Sequence, residues 1–361
     1  NPSNPKWLNR DRFVLSNGHG SMLLYSLLHL SGYKLTIEDI KNFRQLHSLT
    51  PGHPECDITP GVETTTGPLG QGLANAVGMA IAEKSLSNEF NKPGLELINH
   101  HTYVFAGDGC LMEGISHEAC SLAGTLGLNK LILIYDMNNI SIDGDTSLAF
   151  TENIKKRFES YGWNVIDKVD GHDFKSIEKS ISQAKKEKLK PTIICMKTTI
   201  GYGSPNKQGT SGIHGAPLGK DEVELTRKNL NWIHSPFEIP KSIYKEWDYR
   251  DKGRLLESAW NKKLGVYKSK HPKLHSELQR RLKNKLPAQV NKNIYKLIAS
   301  NPKSMATRKS SQVVLEKIGP IIPELIGGSA DLKESNLVFW PESKAITKKD
   351  FSGKYLHYGV R

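Results

Sequence analysis

Two short apolar runs set the frame of this sequence. Residues 102–106 (Thr-Tyr-Val-Phe-Ala) and 130–135 (Lys-Leu-Ile-Leu-Ile-Tyr) are rich in β-branched and aromatic side chains and stop at Gly107 and Asp136, as buried parallel strands do. Between them, 113–126 has helix-forming composition, which makes a βαβ unit. Strand-like runs recur at 164–169 and 192–197, and helical patterning at 22–30, 38–46, 69–86 and 174–186. Strands alternating with helices predict an α/β fold, a parallel sheet flanked by helices. From 251 to 285 the pattern becomes long, charged helix interrupted at Pro272, and 287–302 reads as a connector. A second α/β pattern opens at 307–317 and runs into the apolar 325–328. The expected organisation is a first domain over 1–286 with a helical C-terminal extension, the connector, and the start of a second α/β domain over 303–361.

The chemistry gathers at the ends of the first two strands. Gly107-Asp108-Gly109 is followed after 28 intervening residues by Asn138-Asn139-Ile140, so both motifs sit just beyond strand carboxyl ends, where open α/β sheets bind ligands. A hard cation such as Mg²⁺ takes a few oxygen ligands from protein and leaves other positions to water and phosphate. Asp108, Asn138 and the carbonyl of Ile140 supply such a set. The flanking glycines let the backbone approach a diphosphate, and a helix starting near Glu113 points amide hydrogens toward it. A lone Gly-Asp-Gly is an ordinary turn; the spacing and the paired strand ends are what favour a metal–diphosphate site.

Two further groups of residues fit a polar ligand. Gly67-Pro68-Leu69-Gly70-Gln71-Gly72 opens a helix with small residues at every second position from 70 to 82. Ala76, Gly78 and Ala80 are expected to pack closely, while the loop at Gly67 lets the backbone reach a flat heteroaromatic ring. His19, His53 and His214 lie in loops dense with glycine or proline, where imidazoles can bond phosphate and hydroxyl oxygens and move protons near neutral pH. His29, His47, His100, His101, His117 and His172 read as structural.

Composition narrows the classes. With 361 residues, 37% of them hydrophobic, the chain can bury the cores of more than one domain. No apolar run approaches the ~20 residues that span a bilayer; the longest, 22–30, contains Tyr25, Ser26 and His29. Asn1-Pro2-Ser3-Asn4-Pro5 has no signal pattern and no initial methionine, so the start looks trimmed. The four cysteines form no CxxC pair, which argues against zinc and against a disulfide scaffold and fits a reducing cytosol. Cys195 reads as a buried small hydrophobe, and Cys110 has no assigned role. Of the 50 basic residues behind the +13 net charge, 39 are lysine, spread over helix faces such as Lys262, Lys263, Lys268 and Lys270 without interleaved aromatics. That describes a solvated surface rather than a nucleic-acid site, although the field would draw phosphorylated sugars.

The spacing of Gly107-Asp108-Gly109 and Asn138-Asn139 resembles the thiamine diphosphate signature, and GDGCLMEGISHEACSLAGTLGLNKLILIYDMNNISIDG is similar to the transketolase family. The likeness continues through SNGHGSMLLYSLLHLSGY, PGHPE, TTTGPLGQG, SGIHGAPLG, MATRKSS, GGSADL and HYGVR. It implies a thiamine diphosphate-binding fold with Mg²⁺, or Ca²⁺ or Mn²⁺ in its place, held by Asp108, Asn138 and Ile140. By the same resemblance Gly67, Pro68 and Leu69 contact the cofactor ring, and Gly109, Asn138, His19 and His214 contact the cofactor. His214 also serves substrate and proton movement, His53 binds donor-sugar hydroxyls, and Asp331 lies near the thiazolium. Arg308 and Ser335 match acceptor-phosphate residues, and Glu113 matches an interface glutamate of a cytoplasmic homodimer.

The implied reaction is transfer of a two-carbon ketol unit from a ketose phosphate, such as xylulose 5-phosphate, to an aldose phosphate, such as ribose 5-phosphate, in the pentose phosphate pathway. Two departures stand out. The chain starts too near Ser16-Asn17-Gly18-His19 to hold the family's first histidine-bearing loop, and it stops one position before the glutamate that activates the cofactor. The 361-residue piece alone is therefore expected not to turn over. Dihydroxyacetone synthase and deoxyxylulose-phosphate synthase share the Gly-Asp-Gly site, but 211–219 and 305–311 favour transketolase. A non-catalytic cofactor-binding subunit is the reading from another class.

Overall fold

The apolar runs assemble into one parallel sheet. In the computed structural model, which describes residues 1–300 and 303–361, the elements in chain order begin with β1 (Arg12–Leu15), α1 (Ser21–Ser31), α2 (Ile37–Lys41), α3 (Gln71–Phe90) and β2 (Thr102–Gly107). They continue with α4 (Asp108–Met112), α5 (Gly114–Leu126), β3 (Leu131–Met137), the small hairpin β4 (Ile140–Ser141) and β5 (Gly144–Asp145), and α6 (Ile154–Ser160). Then come β6 (Asn164–Asp170), α7 (Phe174–Ala184), β7 (Thr192–Lys197), α8 (Lys220–Asn229), α9 (Lys241–Trp247) and α10 (Arg250–Lys270). The strand order is β1-β2-β3-β7-β6, all parallel, with Thr102 opposite Leu131 and Ile132 opposite Thr192. Alternation along the strands sends Ile132, Ile134, Ile194 and Met196 to one face, where Ile177, Ile181 and Ala184 of α7 cover them. Each such side chain, once buried, contributes roughly 1.5–3 kcal/mol. Asp173 caps α7 by accepting from the amides of Lys175 and Ser176.

The differences from the sequence-based expectation have local causes. β1 was not foreseen, being a four-residue edge strand that starts on an arginine. The helix expected over 38–46 ends at Lys41, because the Asn42 side chain bonds back to the Glu38 carbonyl and Arg44 and His47 take positive φ. The helix expected from 69 begins at Gln71, since Gly67 (φ 158°) and Gly70 (φ 80°) have glycine backbone conformations. Ala76 and Ala80 are buried as expected, but Gly78 is exposed with open space around it. The helix expected to begin near Glu113 is two: Asp108 opens α4, and Glu113, extended at ψ 136°, separates it from α5.

The contacts divide the chain into two units, Asn1–Glu83 with Asn99–Ala259, and Lys84–Ile98 with Trp260–Arg361. The second holds the end of α10, α11 (Pro272–Leu282), α12 (Gln289–Ala299), α13 (Thr307–Ile318), β8 (Gly327–Ser329), α14 (Lys333–Asn336) and β9 (Tyr355–His357). Pro272 is the first residue of α11, where a missing amide hydrogen costs nothing. Most of the segment read as a connector is the helix α12, and its last two positions, 301 and 302, lie outside the described residues. Within this unit the Trp260 indole donates to the Leu97 carbonyl (2.8 Å) and the Tyr267 hydroxyl to that of Phe90 (2.7 Å). Arg281 pairs with Glu89 and Glu277, and Arg280 with Glu277 and Glu324. β8 and β9 pair in parallel, Gly327 opposite Tyr355. Among the described residues no helix is long and apolar enough to cross a membrane.

Candidate cofactor site

β1, β2 and β3 end at the same edge of the sheet, where the chain passes into the Asn17–Gly20 turn, into α4 and into the turn at Asn138 and Asn139. The first, Asn17 to Gly20, is held by the Ser16 amide donating to Phe105 (2.8 Å) and by the Ser16 hydroxyl accepting from Leu73 at the start of α3 (3.0 Å). A Cβ at Gly18 would lie 2.8 Å from the Thr66 hydroxyl and 3.0 Å from the Gly67 amide, so this loop and the one before α3 fit together only with glycine there. The loop carrying His53 is fastened to α1, whose Ser21 and Tyr25 hydroxyls donate to the carbonyls of Gly52 and Pro51 (2.8 Å each).

At these strand ends lies a cavity of about 360 Å³ lined by Asn17, His19, Leu69, Gly107 to Cys110, Asp136, Asn138, Ile140 to Asp143 and His214. Asp108 is almost buried; the Tyr135 hydroxyl donates to its Oδ1 and the Asn139 amide to its Oδ2 (3.0 Å). Burial pushes its carboxyl above the ordinary range, while those two hydrogen bonds pull it back. Asn138 is fixed at both ends of its amide: Oδ1 accepts from the Ile140 amide (2.9 Å) and Nδ2 donates to Asp136 (3.3 Å), which in turn accepts from the Thr198 hydroxyl. Across the cavity the His19 and His214 rings stack with centroids 5.2 Å apart. Partial burial, then His214 and His53, holds His19 below the usual imidazole value, and Asp136 opposes this. Neutral His19 therefore has a lone pair near pH 7.

Two buried polar atoms here lack a partner, Asn17 Oδ1 and His214 Nδ1. Leaving such groups unpaired costs about 1–3 kcal/mol each, so a polar ligand or water in the cavity would satisfy them. The Asp108 carboxylate, the Asn138 amide and the Ile140 backbone form an oxygen-only set that suits a hard cation retaining water or phosphate ligands. Among the described residues no three His, Cys, Asp or Glu side chains converge as a metal-binding group. At Gly109 a Cβ would come within 2.9 Å of Leu69, so glycine keeps this wall open.

The structure thus gathers His19, Leu69, Asp108, Gly109, Asn138, Ile140 and His214 around one cavity. Gly67, Pro68 and His53 stand beside it rather than in its wall, His53 about 3.5 Å from where a Gly67 Cβ would be. Glu113 is exposed at the junction of α4 and α5. Arg308 on α13, Ser335 on α14 and Asp331 after β8 belong to the second unit and are exposed there. Asn17 and Asp136 line the cavity without having been singled out from sequence, Asn17 because it sits in a turn and Asp136 because it ends a strand. Tyr135 reads in sequence as one more core residue.

The family model described as transketolase, thiamine diphosphate binding domain, matches residues 1–287. Transketolase of Buchnera aphidicola from Acyrthosiphon pisum is 61% identical over 364 residues, an alignment spanning 100% of this chain and 55% of the relative. A crystal structure of Pichia stipitis transketolase in complex with sedoheptulose-7-phosphate has a TM-score of 0.95 and 47% identity, covering 100% of this chain and 54% of that one. A Pichia stipitis transketolase variant in complex with xylulose-5-phosphate has a TM-score of 0.95 and 46% identity with the same coverage. The chain spans about half the length of the curated relatives it matches.

Proposed function

The chain belongs to the transketolase family, and from that premise we propose that it holds thiamine diphosphate and a divalent cation in the cavity at the ends of β2 and β3, as its part of a ketol transfer between sugar phosphates. The observation that carries the reading is Asp108 and Asn138 meeting at adjoining strand ends beside the unpartnered Asn17 Oδ1 and His214 Nδ1. Asp108, Asn138 and the Ile140 carbonyl bind Mg²⁺, which Ca²⁺ or Mn²⁺ can replace, and Gly109 gives the diphosphate room. Gly67, Pro68 and Leu69 back the ring. When bound, thiamine diphosphate supplies the carbanion and the electron sink.

The remaining roles belong to side chains. His214, with His19 stacked on it, takes the proton from the donor hydroxyl, and the depressed basicity of His19 suits it to accept hydrogen bonds rather than carry charge. His53 binds donor hydroxyls. In the second unit, Arg308 and Ser335 hold the acceptor phosphate, the guanidinium by paired hydrogen bonds, and Asp331 serves the ring. Glu113 lies at a homodimer interface. The donor is xylulose 5-phosphate and the acceptor ribose 5-phosphate, in a cytoplasmic pentose phosphate pathway, a setting that suits four free cysteines.

The test is calorimetric titration of the intact protein carrying this chain with thiamine diphosphate, with Mg²⁺ or with EDTA. Saturable binding that requires Mg²⁺ and is abolished by Asp108→Asn supports the assignment. Mg²⁺-independent binding, or binding unaffected by D108N, contradicts it.

A further inference from the structure

Neighbouring residues of β3 send their side chains to opposite faces of the sheet, and Tyr135 and Asp136, near its end, each reach a proposed cation ligand. Asp136, opposite Gly107 in the register, faces the cavity and holds the Asn138 amide from within. Tyr135, opposite Ala106, points the other way and is 2% exposed. It is absent from the wall of the cofactor cavity and lines a separate cavity of about 200 Å³ on the far side of Asp108. From there its hydroxyl donates to Asp108 Oδ1, the one side-chain hydrogen bond that the carboxylate receives among the described residues; the other oxygen takes the Asn139 backbone amide.

We propose that Tyr135 is a positioning residue for the cation site: its hydroxyl fixes the rotation of the Asp108 carboxylate from behind, so that the free lone pairs face the cofactor cavity. This rests on the reading of Asp108 as a cation ligand.

The chemistry requires some such group. A carboxylate on a short helical turn, at the edge of two cavities, can rotate about its Cβ–Cγ bond, and a rotated carboxylate presents the wrong oxygen direction to a cation with strict octahedral demands. Hydrogen-bond partners behind the ligands set that orientation, and losing one typically weakens metal affinity about 10–100-fold. A tyrosine suits the position because its phenolic hydroxyl is a donor that reaches the Asp108 carboxylate from within the sheet. Its ring also fills space in the sheet, so Phe in its place removes the hydrogen bond and little else.

The decisive measurement is the apparent Mg²⁺ dissociation constant of the intact protein at saturating thiamine diphosphate, for the unaltered protein, Tyr135→Phe and Asp108→Asn. The expected result is a rise of about 10–100-fold in Y135F with thiamine diphosphate affinity at saturating Mg²⁺ little changed, and no measurable Mg²⁺-dependent binding in D108N. An unaltered constant in Y135F, with D108N inactive in binding, overturns the role of Tyr135 and leaves the site standing. Unaltered binding in D108N overturns the site and the inference together. Should Y135F not fold, 3-fluorotyrosine placed at 135 keeps the hydroxyl and reports on it. Its ¹⁹F resonance is expected to move when Mg²⁺ is added with thiamine diphosphate and to stay fixed in a D108N background. No movement in the unaltered background overturns the inference.

Discussion

His214 and Asp108 illustrate two demands on single residues at one site. Asp108 is held by two hydrogen bonds, as its proposed role as an anchor requires, whereas the His214 ring keeps a buried Nδ1 without a partner and stacks on a second histidine. A group held ready in this way is suited to proton transfer, where general acid–base groups contribute about 10²–10⁴-fold. His214→Ala in the intact enzyme is therefore expected to lower kcat by about that factor while thiamine diphosphate affinity falls far less, measured by steady-state kinetics and cofactor titration side by side. Equal losses in both would make His214 a cofactor anchor only. Much of this candidate site was legible in sequence because Asp108 and His19 stand in glycine-rich motifs and Asn138 in an Asn-Asn pair, all just outside an apolar run. Tyr135 and Asp136 were not, since the last residues of an apolar strand look the same whether they pack or hold a ligand.

At the scale of elements, glycine separates what periodicity reveals from what only packing decides. Gly78 falls in a run of small residues that predicts close packing, yet it is exposed in α3 with nothing near. Gly124 carries no such signal, yet a Cβ there would overlap the Tyr161 carbonyl oxygen, because α5 lies directly against the turn after α6. Gly124→Ala should therefore destabilise the protein by about 1–3 kcal/mol, as overpacking does. Gly78→Ala should stabilise it by about 0.5–1 kcal/mol through helix propensity, both read as shifts in urea denaturation. The opposite order would mean that α3 and α5 exchange their roles in packing. Edge strands show the same limit: β1 has four residues and β9 three, too short for alternation to announce them. β3 and β7 are central and carry apolar runs buried on both faces, which was plain in the sequence, while β2 alternates buried and half-buried residues.

For the whole molecule, acid sensitivity follows from a histidine at the opposite end of the sheet from the site. His100, 5% exposed just before β2, is held down to about 3 by burial and then by the charges of Arg12, Lys130, Arg10 and His101. Its unfolded value is near 6.5, so below that pH the unfolded chain takes up a proton that the folded chain refuses. The stabilisation is fully present above pH 6.5 and is lost as pH falls toward 3, at up to about 1.4 kcal/mol per pH unit. His19 and His101, also depressed, add in the same sense; Asp108, pushed upward, opposes them at lower pH. Between pH 7 and 5 the denaturation midpoint should fall, and His100→Gln should flatten that fall; an equal slope in the variant would remove His100 as its source.

The cavity at the ends of β2 and β3 is proposed to bind a cation–diphosphate pair through Asp108, Asn138 and Ile140. Crystals of the intact protein grown with Mn²⁺ and thiamine diphosphate, measured for anomalous scattering, test it most directly. One strong peak is expected about 2 Å from an Asp108 carboxylate oxygen, Asn138 Oδ1 and the Ile140 carbonyl oxygen, with phosphate or water oxygens as its other ligands. Thiamine diphosphate bound with its cation on other residues, or in this cavity without any metal peak, would contradict it.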